Sequence, residues 1–339
     1  MTRTLSTTLG TRSILTGIKP TGVPHIGNYL GAIAPALRRA SGFQDAYFFI
    51  ADYHALNSVQ DPVRLKELTY HVAATWLAAG LDPTKVHFYR QSDVPEIFEL
   101  ETILNTITPK SWMNKMHAYK AQIDRNNKSG ESMDSGINIG LYTYPLLMAS
   151  DILTFGAEII PVGHDQVQHV EIARDIAHRF NKQYRTDILT LPTYVLEEGI
   201  EELPGLDGRK MSKSYNNTIP LFAGRNEWTN AVKKIITDSV THTPDSLKET
   251  TYYKIFKAVA TPEQTAETAK VIIDGEICWA RAKERLVDCL EQRFGAASVV
   301  YNDLLLHPEK IDEILSDGAK TVRKEAQNRL QVIKRSIGI

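Results

Sequence analysis

The chain has 339 residues, with 39 Lys and Arg against 40 Asp and Glu and a formal net charge of -1. That length suits one large domain with a smaller companion, and the balanced charge excludes a globally basic nucleic-acid binder, so an RNA ligand would need a local basic face. Cys278 and Cys289 make no disulfide framework, and no apolar run approaches the ~20 residues of a membrane-spanning helix. Residues 1–12 lack the apolar stretch of a secretory signal. They read as a disordered tail, with a remnant of a transit peptide as the alternative, and a soluble cytoplasmic protein is expected.

From there the first half alternates β-rich runs with helical patterns, the mark of a parallel sheet with crossover helices. Ser13 to Ile18 reads as a first strand, followed by a Lys19-Pro20-Thr21-Gly22 turn and a helix from about Gly27 to Ala40. Ala46 to Ala51 reads as a buried central strand, Val86 to Tyr89 as a third and Ile159 to Val162 as a fourth. A long helix bearing Leu65, Leu68, Val72, Trp76 and Leu77 precedes the third. The fold class is therefore α/β, a Rossmann-like nucleotide-binding domain over 13–221.

Within that domain, Gln122 to Ser135 is a polar stretch, read as either a mobile lid or an inert loop. From about Asn226 the pattern is helical, with candidates at Glu227 to Thr237, Ser246 to Ala260, Pro262 to Ile273, Glu276 to Arg293, Ala297 to His307 and Lys320 to Ser336. A smaller all-helical domain is expected over 222–310. Residues 311–339 form a basic helix available to pack back on the first domain. Its Arg323, Lys324, Arg329, Lys334 and Arg335 are either a solvated face or an RNA-binding stripe.

Two segments carry phosphate chemistry. Pro24-His25-Ile26-Gly27-Asn28 lies where the first strand hands over to a helix, whose N-terminus offers backbone N–H groups and positive dipole to a phosphate. Gly27 permits close approach of a ligand to the backbone, and His25 can donate to a phosphate oxygen. About 185 residues later, Lys210-Met211-Ser212-Lys213-Ser214 supplies two flexible point charges able to follow a departing pyrophosphate. Groups of this kind would act through positioning and charge stabilisation.

The two motifs in this order resemble the ATP-binding pair of class I aminoacyl-tRNA synthetases. The run Gly140-Leu141-Tyr142-Thr143-Tyr144-Pro145-Leu146-Leu147-Met148-Ala149-Ser150-Asp151-Ile152-Leu153 and the segment Ile160-Pro161-Val162-Gly163-His164-Asp165-Gln166 are similar to the tryptophanyl family of bacteria. So are Gly27-Asn28-Tyr29-Leu30-Gly31-Ala32-Ile33 and Arg174-Asp175-Ile176-Ala177. The likeness runs from about Leu15 to Leu221.

This resemblance implies activation of L-tryptophan with ATP and Mg2+, transfer to tRNA(Trp), an anticodon-binding role for the helical domain, and a homodimer. It implies catalytic roles for His25, Lys210 and Lys213. It implies ATP binding by Lys19, Pro20, Gly27, Asn28, Gly163, Asp165, Gln166, Lys210, Met211, Ser212 and Lys213. Tryptophan would be held by Leu15, Gly17, His54, Tyr144, Met148, Asp151, Ile160, Val162 and Gln166. Leu15 stands where the family commonly has an aromatic residue, Lys19 where it has glutamine, and Gln122 near a frequent lysine.

The residues agree chemically. Tyr144, Met148 and Asp151 fall at i, i+4 and i+7, one helical face. A carboxylate suits the donor-only indole N–H, and a thioether suits the ring. His54 reads as either a pocket or a structural histidine. No protein metal site is expected, since His164, Asp165, His169 and Glu171 match no strong ligand spacing. Three rivals stay open: a tyrosyl enzyme, which normally has glutamine at Met148; a tRNA-independent nucleotidyltransferase on the same fold; and a non-catalytic paralogue.

Overall fold

The computed structural model describes residues 13–196, 203–238 and 242–339. The expected tail at residues 1–12 lies outside them. Five parallel strands form one sheet in the order β3-β2-β1-β4-β5: β1 Ser13–Ile18, β2 Asp45–Ile50, β3 His87–Arg90, β4 Ile159–Val162 and β5 Thr193–Leu196.

Period-two alternation divides the core between the two sheet faces. Leu15, Tyr47, Phe49 and Tyr89 face one way, with Leu100, Leu104, Leu146, Ile152, Ile176 and Phe180 from three covering helices. Ile14, Phe48, Ile50 and Phe88 face the other, against Val72 and Trp76 of the Pro62–Ala78 helix. That helix starts where its pattern says it should: Asp61 accepts from the Val63 and Arg64 amides, and Pro62 fills the first position.

A third cluster unites Leu206, Met211, Ile219 and Leu221 with Trp228, Phe256, Leu286 and Leu290 of the helices beyond, and takes in Ile26 from the N-terminal motif. The lysine-rich loop is thus cored on the helical side of the molecule. A seam joins it to the sheet side: the Ile26 amide donates to the Ile219 carbonyl over 3.1 Å, and His25 bridges Pro220.

Several expectations need correction. β5 was not foreseen. Its four residues are half-exposed at the sheet edge and too short to show alternation. The polar stretch from Gln122 is not a loop over most of its length, because residues His117–Ser129 are helical. Buried Asn126 donates to the Met133 and Ser135 carbonyls, and Gly130 closes the helix in the left-handed region at φ 72. The two helices expected between Glu276 and His307 are one, Trp279–Leu306, since Gly295 interrupts only the pattern.

The last helix begins at Pro308, twelve residues before the expected start. Gly318, inside this helix, allows a close approach: a Cβ there would stand 1.9 Å from the Phe88 carbonyl oxygen. This helix runs along the outer edge of β3, placing Ile311 and Leu315 in one sheet-face cluster and Ala326 and Leu330 in the other. Covering an edge strand this way removes its exposed pairing groups.

The basic residues of that helix mostly serve its docking. Arg323 forms a 2.9 Å ion pair with buried Glu96, Lys334 pairs with Glu99 at 2.7 Å, and the Arg329 guanidinium lies over Gly156 at the C-terminal end of the Ile139–Phe155 helix. Tyr47 donates to Glu325 over 2.7 Å. For Arg323, Arg329 and Lys334, the expected solvated face or RNA-binding stripe is therefore corrected to an intramolecular clasp.

Candidate active site

The Ile139–Phe155 helix is capped by Asn138, which accepts from the Leu141 amide, and ends at Gly156 with φ 60. Along it, Tyr144 and Met148 are half-buried and Asp151 is 1% exposed. The three expected residues share a face, and that face points under the carboxyl ends of the strands.

Asp151 anchors a buried hydrogen-bonded group. Its Oδ2 lies 3.0 Å from His54 Nε2, which donates, and its Oδ1 accepts from Gln91 Nε2 over 2.8 Å. Burial pushes the carboxyl pKa up, and the His54 and Gln91 contacts oppose that shift. Burial and Asp151's charge also raise Glu101. His54, ambiguous in the sequence, is therefore a partner of Asp151. Gln91 was missed. A single glutamine after a strand carries no signal, and its importance comes only from tertiary placement.

A second hydrogen-bonded series runs from Asp165 to Tyr144. Gln166 Nε2 donates to Asp165 Oδ2 over 2.8 Å, while its Oε1 accepts from His169 Nδ1 over 2.9 Å. Because Gln166 Oε1 can only accept, His169 carries its proton on Nδ1 and its Nε2 accepts from the Tyr144 hydroxyl. Burial, then the nearby Lys19 charge, lower His169 to about 4, so the ring is neutral at pH 7. The Tyr144 hydroxyl is pushed up to about 12 by burial and by Asp165. His169 therefore orients Tyr144; the sequence reading gave it no role.

Leu15, Ile160 and Val162 are buried in the sheet. Gly17 leaves room for the Phe49 ring, whose Cζ would stand 2.4 Å from a Cβ there. Lys19 is exposed and Pro20 buried in the turn after β1, while Gly163 and Asp165 are exposed after β4.

On the phosphate side, His25 is buried, and a Cβ on Gly27 would meet the His25 ring at 3.0 Å and Met211 Sδ at 3.5 Å. The His25 pKa falls to about 4 through burial and the charge of Lys213, so His25 offers a neutral hydrogen bond rather than charge. The Lys213 stem crosses the turn after β1, its Nζ 2.7 Å from where a Gly22 Cβ would be. Partial desolvation, then the Arg64 charge, draw the Lys213 ammonium down to about 8. Lys213 thus carries its charge near Arg64, whose guanidinium also pairs with Glu67 at 2.7 Å. Asn28 Oδ1 accepts from the His25 amide over 3.1 Å and so fixes the turn.

The lysine loop is shaped by buried Asn217. Its Oδ1 accepts from the Ser212 amide over 2.8 Å, and its Nδ2 donates to the Lys210 carbonyl over 3.1 Å and to Asp207 over 2.6 Å. Gly205 leaves the space Asn217 fills. The structure thus brings together His25, Gly27, Met211 and Lys213 as one half of a cleft, and Tyr144, Asp151 and His54 as the other.

Residues 9–302 match the family model of class I tRNA synthetases for W and Y, and the chain belongs to that family. Its curated relatives narrow the class to the tryptophan branch. The tryptophan–tRNA ligase of Neisseria meningitidis is 46% identical over 331 residues, covering 97% of this chain and 98% of the relative. That of Xanthomonas campestris is 46% identical over 334 residues, covering 97% and 77%. The crystal structure of the Campylobacter jejuni tryptophanyl-tRNA synthetase complexed with ADP and tryptophan superposes with a TM-score of 0.88 at 39% identity, covering 96% of this chain and all of that one.

Proposed function

We infer that the chain acts as a tryptophan–tRNA ligase. L-Tryptophan's carboxylate attacks the α-phosphorus of ATP, the bond to the bridging oxygen breaks, and pyrophosphate leaves. The 3′-terminal ribose hydroxyl of tRNA(Trp) then attacks the acyl carbon and AMP departs. The observation that carries the substrate assignment is Asp151, a buried carboxylate on a helical face with Tyr144 and Met148. Its free lone pairs suit an indole N–H, and Met148 offers a thioether to the ring. A phenol, needing donor and acceptor together, finds no matching polar group at Met148.

The cleft's other half handles the phosphates. His25 and the helix starting at Ile26 hold the α- and β-phosphates, Gly27 leaves room for the adenosine, and Lys210 and Lys213 stabilise pyrophosphate as it separates. Mg2+ enters with ATP and needs no protein cage. Gly163, Asp165 and Gln166 meet ATP and the amino acid's polar atoms at the carboxyl end of β4, where such sheets bind ligands. The helical domain over 222–310 receives the anticodon arm, and the working form is a cytoplasmic homodimer. No helix among the described residues is long and apolar enough to cross a membrane.

Pyrophosphate exchange measured with each of the twenty amino acids tests the reading. A tryptophan-dependent signal is expected, with charging of tRNA(Trp). A larger signal from tyrosine would overturn the assignment, and exchange without tRNA charging would favour a tRNA-independent nucleotidyltransferase.

A further inference from the structure

Asp151 is the centre of recognition, but something must hold it. Gln91 is 0% exposed and sits in the turn Gln91–Asp93 directly after β3. Its Nε2 donates to Asp151 Oδ1 over 2.8 Å, while its Oε1 is buried with no partner. The opposite amide orientation would press Oε1 against a carboxylate oxygen, so donation is the orientation the chemistry requires. A buried unpaired acceptor is costly, and a residue serving only to fill volume would carry no such cost.

The turn is braced on both sides of Gln91. Arg90 donates to Asp93 over 2.9 Å and to Asp312 over 2.9 Å. The Ser92 amide donates to Asp52 Oδ1 over 3.1 Å, and the Ser92 hydroxyl donates to Asp52 Oδ2. Asp52 opens the short helix Asp52–Ala55 that carries His54. The two donors to Asp151 are thus tied to each other through Asp52 and Ser92, and the carboxylate is gripped by one braced unit.

We propose that Gln91 is a positioning residue for amino-acid selection: its amide fixes the Asp151 carboxylate and keeps it an acceptor aimed at the indole N–H. This rests on the reading of the site as a tryptophan pocket. A carboxylate has about four acceptor directions. His54 and Gln91 occupy two, one on each oxygen, and leave the rest for substrate. Charged and titratable groups facing Asp151 are His54, Tyr89 from β3 and Glu101 from the Glu96–Ile107 helix. Of the groups around it, His54 and Gln91 supply the hydrogen bonds that oppose its protonation. A protonated Asp151 would spend one oxygen as a donor and lose selectivity.

The test compares kcat/KM in pyrophosphate exchange for L-tryptophan and for its benzothiophene analogue, which has sulfur in place of the N–H. Wild type should favour tryptophan by about 100-fold or more. Gln91→Met keeps the volume and removes the donor. It should lower that ratio by at least about tenfold, through KM for tryptophan rather than kcat, with KM for ATP within about twofold of wild type. Gln91→Glu sets a second carboxylate against Asp151, and its ratio should fall as pH rises from about 6 to 8 as the shared proton is lost. An unchanged ratio in Gln91→Met, tryptophan and analogue weakening together, or a flat wild-type ratio in Gln91→Glu would each overturn the proposal. If wild type itself prefers another amino acid, the functional reading fails; if wild type is selective and Gln91→Met equally so, only this inference falls.

Discussion

The two halves of the cleft are built on different principles. Around Asp151 the groups are cross-tied: buried His54 and Gln91 and half-buried Asp52 and Ser92 form one braced set after β2 and β3. The Lys210 to Ser214 loop is exposed at its charged tips, rooted in the cluster shared with the helical region, and joined to the sheet side through Ile26, His25 and the Gly22 turn. Rigid recognition and transferable charge make opposite demands. A buried network discriminates because a wrong ligand leaves groups unpaired, whereas charge that follows a leaving group has to sit on a segment free to shift.

Lys213→Ala should break the comparison most strongly. Loss of one charge-stabilising donor costs about 3 kcal/mol of barrier, so exchange should drop by about 100-fold or more in kcat with tryptophan binding intact. Next comes Asp151→Asn, expected to raise KM for tryptophan about 10- to 100-fold, in line with the ~1.5–3 kcal/mol of a hydrogen bond to a charged group, while KM for ATP holds. Gly318→Ala probes the edge clasp rather than the site. The clash with the Phe88 backbone should cost about 1–3 kcal/mol in thermal unfolding.

Smaller effects sharpen the contrast. Burial draws the Lys213 ammonium down to about 8, so kcat/KM for ATP should hold below that pH and fall above it as the charge is lost. The same profile in Lys213→Ala should lose that limb. Gly22→Ala pushes aside only the flexible end of Lys213. It should lower kcat/KM for ATP by about two- to fivefold, under about 1 kcal/mol, and leave tryptophan selection unchanged.

What the sequence disclosed follows the same division. Local patterns were readable: four strands, the face shared by Tyr144, Met148 and Asp151, and both phosphate motifs. Non-local purposes were not. Gly318 carried no signal because its reason for being glycine is the Phe88 backbone. Asn126 looked like loop polarity because the carbonyls it bonds lie beyond the helix end. Gln91 had no pattern around it, and its meaning depends on a carboxylate sixty residues away. Helix-long basic charge left a solvated face and an RNA-binding stripe open, yet Arg323 and Lys334 found acidic partners within the chain.

The most direct test is equilibrium binding of L-tryptophan, without ATP, to wild type, Lys213→Ala and Asp151→Asn. Affinity unchanged in Lys213→Ala and at least about tenfold weaker in Asp151→Asn is the expected result. Equal loss in both variants, or retention in Asp151→Asn, would contradict a cleft divided between buried recognition and mobile charge.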